Sequence, residues 1–319
     1  MDNSNYNTSD DLKKSPLGRP TSYPTHYDPN LLVPIPRSIK REELGISSDV
    51  QSALPFSGFD EWTGYELSWL NNKGKPEVAL LICEIPCESS NIIESKSFKL
   101  YLNSFNQTQF QNKSDVEKII QKDLSEKSNS NVNVAIQQLS FQNNSSHNQN
   151  NKNKNNNTNI IDKNSLIELK VTEFSNLPGL NIDHLDINIE EYNYNPKLLQ
   201  LEKSKESNVT SEILNSHLLK SNCLVTGQPD WGSIVIDYTG PKINHESLLK
   251  YIISFRLHEE FHEQCVERIF MDLTNYCNCS SLTVYARYVR RGGLDINPLR
   301  TTDKNLHYSK FKNLRTIRQ

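Results

Sequence analysis

Two stretches of this chain read in the same order, strand, strand, helix, helix, strand, strand, and few architectures accommodate such a pattern twice. In the first, alternating runs at 63–70 and 77–85 flank Asn71-Asn72-Lys73-Gly74, a hairpin-turn signal. Phe98, Leu102 and Phe105 then recur at helical spacing, and Ser114-Asp115-Val116-Glu117 predicts a capping box ahead of Ile119, Ile120 and Leu124. Strand-like runs resume at 132–139 and 166–171. In the second stretch, runs at 218–225 and 233–238 pair around Gly227-Gln228-Pro229. Asn244 is placed to cap a helix bearing Leu248, Leu249 and Ile252. A second helix carries Phe261, Cys265, Ile269 and Leu273, and an alternating strand follows at 282–289. The expectation is an α+β protein in which a sheet with two helices on one face occurs twice.

The breaks between these stretches are compositional. Ten of the seventeen residues at 143–159 are Asn, a polar tract with nothing to bury, read as an insertion. Residues 16–36 are rich in Pro and turn formers, an irregular arm laid over a surface. The expected division is an arm at 1–58, a first module at 59–195 containing the insertion, and a second module at 196–319 that carries the chemistry.

A formal charge of −3 and a pI near 6.3 leave no electrostatic footprint for a phosphate backbone, so direct nucleic-acid binding is not expected. The polar start Met1-Asp2-Asn3-Ser4-Asn5 has no secretory signal pattern, and no apolar run is long enough to cross a bilayer; a cytoplasmic protein is expected. The six cysteines lack the paired spacing of a structural zinc site and are expected as free thiols.

Four clusters could carry chemistry. Cys223 sits seven residues before Asp230, and a Pro-bearing turn can fold the acid back on the thiol; a nucleophilic Cys needs such a base, although a buried Cys beside a turn reads the same way. Ile93-Glu94-Ser95-Lys96-Ser97-Phe98-Lys99 opens a helix and suits an anionic group, or is simply a well-capped start. His258-Glu259-x-x-His262 fits H-E-x-x-H, in which two imidazoles one helical turn apart bind zinc; a charged helix end is the ordinary alternative. Arg290-Arg291-Gly292-Gly293 ends a strand, where guanidinium and free N–H groups could hold phosphate. Among the eleven Gly no G-x-G-x-x-G occurs, so a standard dinucleotide fold is not expected.

Together these clusters resemble the bimodular form of the NADPH-dependent 7-cyano-7-deazaguanine reductases of queuosine biosynthesis, a tRNA-modification pathway. The resemblance spans nearly the whole chain. It rests on Tyr65-Glu66-Leu67-Ser68-Trp69-Leu70, the run from Glu94 to Thr108, the run from Cys223 to Gly232, Phe261-His262-Glu263-Gln264-Cys265-Val266-Glu267-Arg268, and Arg290 to Pro298. The Asn-rich tract and a Lys-rich stretch at 304–312 depart from it.

The resemblance implies tandem tunnelling-fold (T-fold) modules that assemble by their sheets into barrels, a homodimer, and no metal. It implies that Cys223 adds to the nitrile carbon to give a thioimide, that Asp230 is the general acid, and that His262 helps close the site. Ile93, Glu94, Ser95, His262 and Glu263 would contact the deazapurine, with Glu263 accepting hydrogen bonds from its guanine-like edge. Ser95, Lys96, Arg291 and Gly292 would contact NADPH, two of which are consumed per nitrile. The competing expectations are a zinc hydrolase using His258 and His262, a thiol hydrolase that makes an acid without NADPH, and a purine-binding T-fold protein without catalysis.

Overall fold

In the computed structural model the described residues are 23–46, 54–139, 175–203, 209–304, 311 and 314–319. The Asn-rich tract and the strand expected at 166–171 lie outside them. The first hairpin turn forms because the Asn71 side chain accepts from the N–H groups of Lys73 and Lys75, while Gly74 takes the left-handed conformation (φ 74°). It joins two strands longer than their alternating cores suggest.

Among the described residues the strands are β1 (Pro34–Pro36), β2 (Ser57–Leu70), β3 (Pro76–Pro86), β4 (Asn91–Ile93), β5 (Asn133–Gln138), β6 (Leu180–Asn181), β7 (Val209–Ser216), β8 (Lys220–Asn222), β9 (Pro229–Pro241), β10 (Ser281–Tyr288) and β11 (Leu294–Thr301). One mainly antiparallel sheet runs β5-β3-β2-β11-β10-β9-β7-β6, with β8 paired to β9; β1 pairs with β4 apart from it. The two halves of the chain meet at β2 and β11, paired from Leu294↔Gly64 to Thr301↔Ser57.

The long helices are α1 (Ser95–Ser104), α2 (Lys113–Ser128), α3 (His245–Ser254) and α4 (His262–Cys277). The α2 helix starts earlier than the Ser114 box implies. Asn112 is its cap, accepting from Asp115 N–H at 3.0 Å, while Glu117 bonds the Ile136 N–H instead of reaching back. Asn244 caps α3 as its sequence implies.

The repeat goes deeper than element order. The first helix of each copy has ten residues and the second sixteen, and each second helix ends on a left-handed Asn, Asn129 and Asn278. Asp123 in α2 accepts from the hydroxyls of Tyr101 and Tyr27; Asp272 in α4 accepts likewise from Tyr251 and Tyr194. Tyr27 and Tyr194 each precede a short 3-10 turn, Asp28-Pro29-Asn30-Leu31 and Asn195-Pro196-Lys197-Leu198. In the arm, then, the repeat is already present at Tyr27. Each copy buries its own apolar cluster, one around Trp62, Phe98 and Ile120, the other around Ile236, Ile252 and Phe270.

The arm is less irregular than expected. It adds β1 beside β4 and ends in a short helix (Ser38–Arg41) that sends arginines into the core. Arg41 bonds Glu267 of α4, Arg300 of β11 bonds both Glu267 and Asp60 of β2, and Arg37 bonds Asp60. Burial raises the Glu267 carboxyl, but Arg300, then Arg41 and Arg37, outweigh it and hold the group at about 2.

Candidate functional site

The turn between β8 and β9 builds the centre of the site. Asn222 pairs with Pro229 and Ser221 with Asp230, so the chain reverses over residues 223–228 and the acid returns beside the thiol. Cys223 N–H donates to the Gln228 carbonyl and Gly227 N–H to that of Cys223, each at 2.9 Å, with Gly227 at φ 64° closing the turn. The preceding strand is pinned as well: Asn222 N–H donates to the His258 carbonyl, and Glu260 N–H to that of Asn222. The strand expected at 218–225 thus ends at Asn222, and Cys223 stands in the turn.

The first copy holds the counterpart of this turn. Leu70 pairs with Pro76 and Trp69 with Glu77, Asn71 N–H donates to Lys75 O, and Leu70 is pinned by Thr108 and Phe110 as Asn222 is by His258 and Glu260. Asn71 therefore occupies the position of Cys223 and Glu77 that of Asp230, and the two side chains bond each other at 2.9 Å. One hairpin plan carries a structural amide in one copy and a thiol in the other.

Cys223, Asp230, His262 and Glu263 line one small cavity with Ile93, Ser95, Lys99, Glu260, Arg291 and Ile296. All four are buried or nearly so, with Cys223 at 5% exposure and Asp230 at 6%. His262 Nε2 and Arg291 Nη2 converge on Asp230 Oδ1 at 3.4 and 3.3 Å. The His262 ring stacks on Tyr288 with centroids 3.8 Å apart. Burial, and then the Asp60 charge, push the Glu263 carboxyl up to about 7.

A cleft of about 520 Å³ opens beside this cavity, sharing Ser95, Lys99, Arg291 and Leu294 with it and adding Lys96, Gly292, Thr226 and Gln228. Lys96 Nζ donates to the Tyr23 hydroxyl at 2.8 Å. Gly292 and Gly293, both at positive φ, turn β10 into β11; a Cβ on Gly293 would lie 2.3 Å from the Glu66 carboxyl carbon. Cations around a cleft of this size, two Gly in a turn and a helix start suit a phosphate-bearing dinucleotide.

Glu94 is placed differently from its neighbours. Its carboxylate is buried and caps α1, accepting from Lys96 N–H and Ser97 N–H at 2.7 Å each, while Ile93 and Ser95 on either side face the cavity. Two further charged residues line the site. Lys99, the last residue of the Ile93–Lys99 cluster and one turn after Ser95 on α1, lowered by burial and then by the Arg291 charge, lies between cavity and cleft. Glu260 lines the cavity too; bonds from His258 and Arg268 outweigh its burial and hold it below the usual range.

The zinc reading lacks the geometry it needs. His258 lies in extended backbone after a 3-10 turn and His262 is the first residue of α4, so they do not share a helical face. His258 packs on Tyr194 and bonds Glu260, much as Phe110 packs on Tyr27 in the first copy. Among the described residues, no three His, Cys, Asp or Glu side chains gather as a metal site would require. None of the described helices is long and apolar enough to cross a membrane.

An α+β chain with a thiol, an acid and an imidazole around a cavity beside a cationic cleft has the outline of a cofactor-using enzyme. Family comparison gives the class. Residues 23–136 match the family described as nitrile reductase, 7-cyano-7-deazaguanine-reductase N-term, and residues 229–307 match QueF-like protein. The chain is 50% identical over 306 residues to the NADPH-dependent 7-cyano-7-deazaguanine reductase of Hydrogenovibrio crunogenus, covering 96% of this chain and 97% of that one. It is 49% identical to the enzyme of the same name from Ralstonia nicotianae (96% and 98% covered) and 47% identical to that from Colwellia psychrerythraea (99% of each). The chain belongs to the family of NADPH-dependent 7-cyano-7-deazaguanine reductases. Among solved structures, the apo archaeosine synthase QueF-Like aligns with 31% of this chain and 95% of its own at 16% identity and a TM-score of 0.26, too slight a likeness to carry argument.

Proposed function

We propose that this protein reduces the nitrile of 7-cyano-7-deazaguanine to the aminomethyl group, consuming two NADPH, through a thioimide on Cys223. The observation that carries this reading is the hairpin that brings Cys223 and Asp230 to one cavity with His262 and Glu263, beside a cleft lined by Ser95, Lys96, Arg291 and Gly292.

Asp230 takes the thiol proton, the sulfur adds to the nitrile carbon, and Asp230 returns that proton to the nitrile nitrogen, so S–H and one C≡N bond are exchanged for C–S and N–H. His262 and Arg291, both on Oδ1, orient the carboxyl for this transfer. NADPH supplies the two hydrides of the four-electron reduction. Each hydride would be matched by one proton that Asp230 relays from solvent: Cys223 leaves as the thiolate after the first and is reprotonated, the second completes the amine, and the walls of the cavity keep bulk water from the imine in between. Glu263 accepts hydrogen bonds from the N–H edge of the base, which replace the water that burial took from it. Ile93 and Ser95 offer substrate contacts along an edge that Glu94 fixes from within. Lys96, Lys99 and Arg291 would hold the cofactor phosphates, and the turn at Gly292 lets backbone approach them.

The tandem modules are tunnelling-fold units, and the outer strands β5 and β6, unpaired on one side among the described residues, are edges that a second copy would cover. The working form is then a cytoplasmic homodimer that closes its sheets into barrels.

Protein mixed with 7-cyano-7-deazaguanine alone should gain one substrate mass, with an absorbance change, and lose both when NADPH is added. Cys223→Ala should do neither. A folded sample that forms no adduct and consumes no NADPH would sink the reading, and sedimentation as a monomer would sink the assembly.

A further inference from the structure

His262 faces Asp230 through Nε2, and in most sites an imidazole is held in that attitude by a hydrogen bond to its other nitrogen. Here Nδ1 is buried and has no hydrogen-bond partner among the described residues. What holds the plane of the ring is Tyr288, stacked on it at 3.8 Å with only 8° between the planes. Tyr288 is itself fully buried at the end of β10.

Tyr288 stands opposite Gly232 in the β9–β10 ladder. A Cβ on Gly232 would lie 3.2 Å from two carbons of the Tyr288 ring, so the glycine lets that ring lie across the neighbouring strand. The first copy has no such arrangement. Its matching ladder position pairs Ala79 with Gln138, and the residue that opens its second helix is Lys113 rather than His262. Glycine, tyrosine and histidine thus occur together only in the copy that carries the thiol. A scaffold requirement of the fold would have appeared in both copies.

We propose that Tyr288 is a positioning residue for nitrile reduction: with Gly232 making room for its ring, it sets the plane of the His262 imidazole so that Nε2 addresses Asp230 and the reacting group. This rests on the reductase reading above. The polar part of Tyr288 is incidental to the role, which belongs to the flat ring.

The test measures adduct formation with 7-cyano-7-deazaguanine and steady-state NADPH oxidation for Tyr288→Phe, Tyr288→Leu, His262→Ala and the double variant of the last two. Tyr288→Phe should stay within about threefold of the parent. Tyr288→Leu should lose about tenfold or more in the rate of adduct formation and in kcat, with the KM for NADPH within about twofold. In the His262→Ala background the same Leu substitution should cost less than about threefold, because the ring it orients is gone. Additive losses in the double variant, equal damage from Phe and Leu, or an unchanged rate in Tyr288→Leu would each overturn the proposal. Should Tyr288→Leu fail to fold, Gly232→Ala, which displaces the ring without removing it, carries the test: a comparable loss is expected, and a parental rate would refute the proposal. A parent protein that forms no adduct would instead refute the reductase reading, so the two failures are distinct.

Discussion

Substrate affinity should depend on pH through Glu263. With its carboxyl at about 7 in the free protein, roughly a tenth is ionised at pH 6 and roughly nine tenths at pH 8. In the substrate mode proposed above only the ionised form would accept from both N–H groups of the base edge, so the apparent Kd should be the intrinsic value divided by that fraction. In a Cys223→Ala background, where binding is not followed by addition, titration calorimetry should show Kd tightening about tenfold from pH 6 to pH 8, most of it below pH 7. Adding Glu263→Gln should weaken binding and flatten the profile. Stability of the free protein runs the other way. A carboxyl raised from 4.5 to about 7 contributes stability that is fully present below 4.5 and is lost as pH rises through about 7. Substrate should therefore raise the unfolding midpoint more at pH 8 than at pH 6. A flat Kd across this range, or the same slope with Gln at 263, would refute the reasoning.

Glu267→Gln would leave three buried guanidiniums, Arg37, Arg41 and Arg300, against Asp60, and should cost about 3–5 kcal/mol in urea denaturation at pH 7. Because Glu267 is held at about 2 rather than 4.5, the stability it contributes is present above 4.5 and lost as pH falls toward 2, so the difference between parent and variant should shrink over that window. Lys99→Met should raise the KM for NADPH about tenfold or more while leaving the fold's unfolding midpoint close to the parent, read by steady-state kinetics beside thermal unfolding. His258→Phe, whose ring can pack on Tyr194 as Phe110 packs on Tyr27, should keep activity within about threefold; complete loss would revive a ligand role for that imidazole.

How far the sequence reaches depends on how local each signal is. The hairpin at Asn71, the α3 cap at Asn244 and the return of Asp230 toward Cys223 each lie within a few residues, and all are legible. Strand β7 is not legible because its alternation is blurred by Thr210, Ser211 and Glu212 near a sheet edge, and the bounds of β11 are not because Asn297-Pro298 interrupts it. The sheet tolerates that proline because the β10–β11 pairing runs only from Thr283↔Thr301 to Tyr285↔Leu299, after which the Asn297 side chain, not a carbonyl, takes the Tyr288 N–H. The arginine cluster could not be foreseen, since Arg41 meets Glu267 across 226 positions. The cap that Glu94 makes is not legible for a related reason: a carboxylate in a binding motif and a carboxylate capping a helix look alike in sequence, and one group can do both. The Tyr27 and Tyr194 turns are legible in the sequence as a repeated Tyr-Asp/Asn-Pro-x-Leu.

The paired hairpins at Asn71 and Cys223 also bear on how such a pocket can be altered. Were both walls made from two copies of one short chain, every substitution would be introduced on both at once, and a change that helped the thiol's turn would be forced onto the turn that has no chemistry. Here the start of α1 and the turn at Cys223 are encoded separately, so a residue can be varied on one wall while its counterpart in the other copy stays as it is. A library aimed at new nitriles can vary Ile93 and Ser95 without disturbing the start of α3, and the unreactive Asn71 turn serves as an internal control for changes that damage the hairpin itself rather than its chemistry.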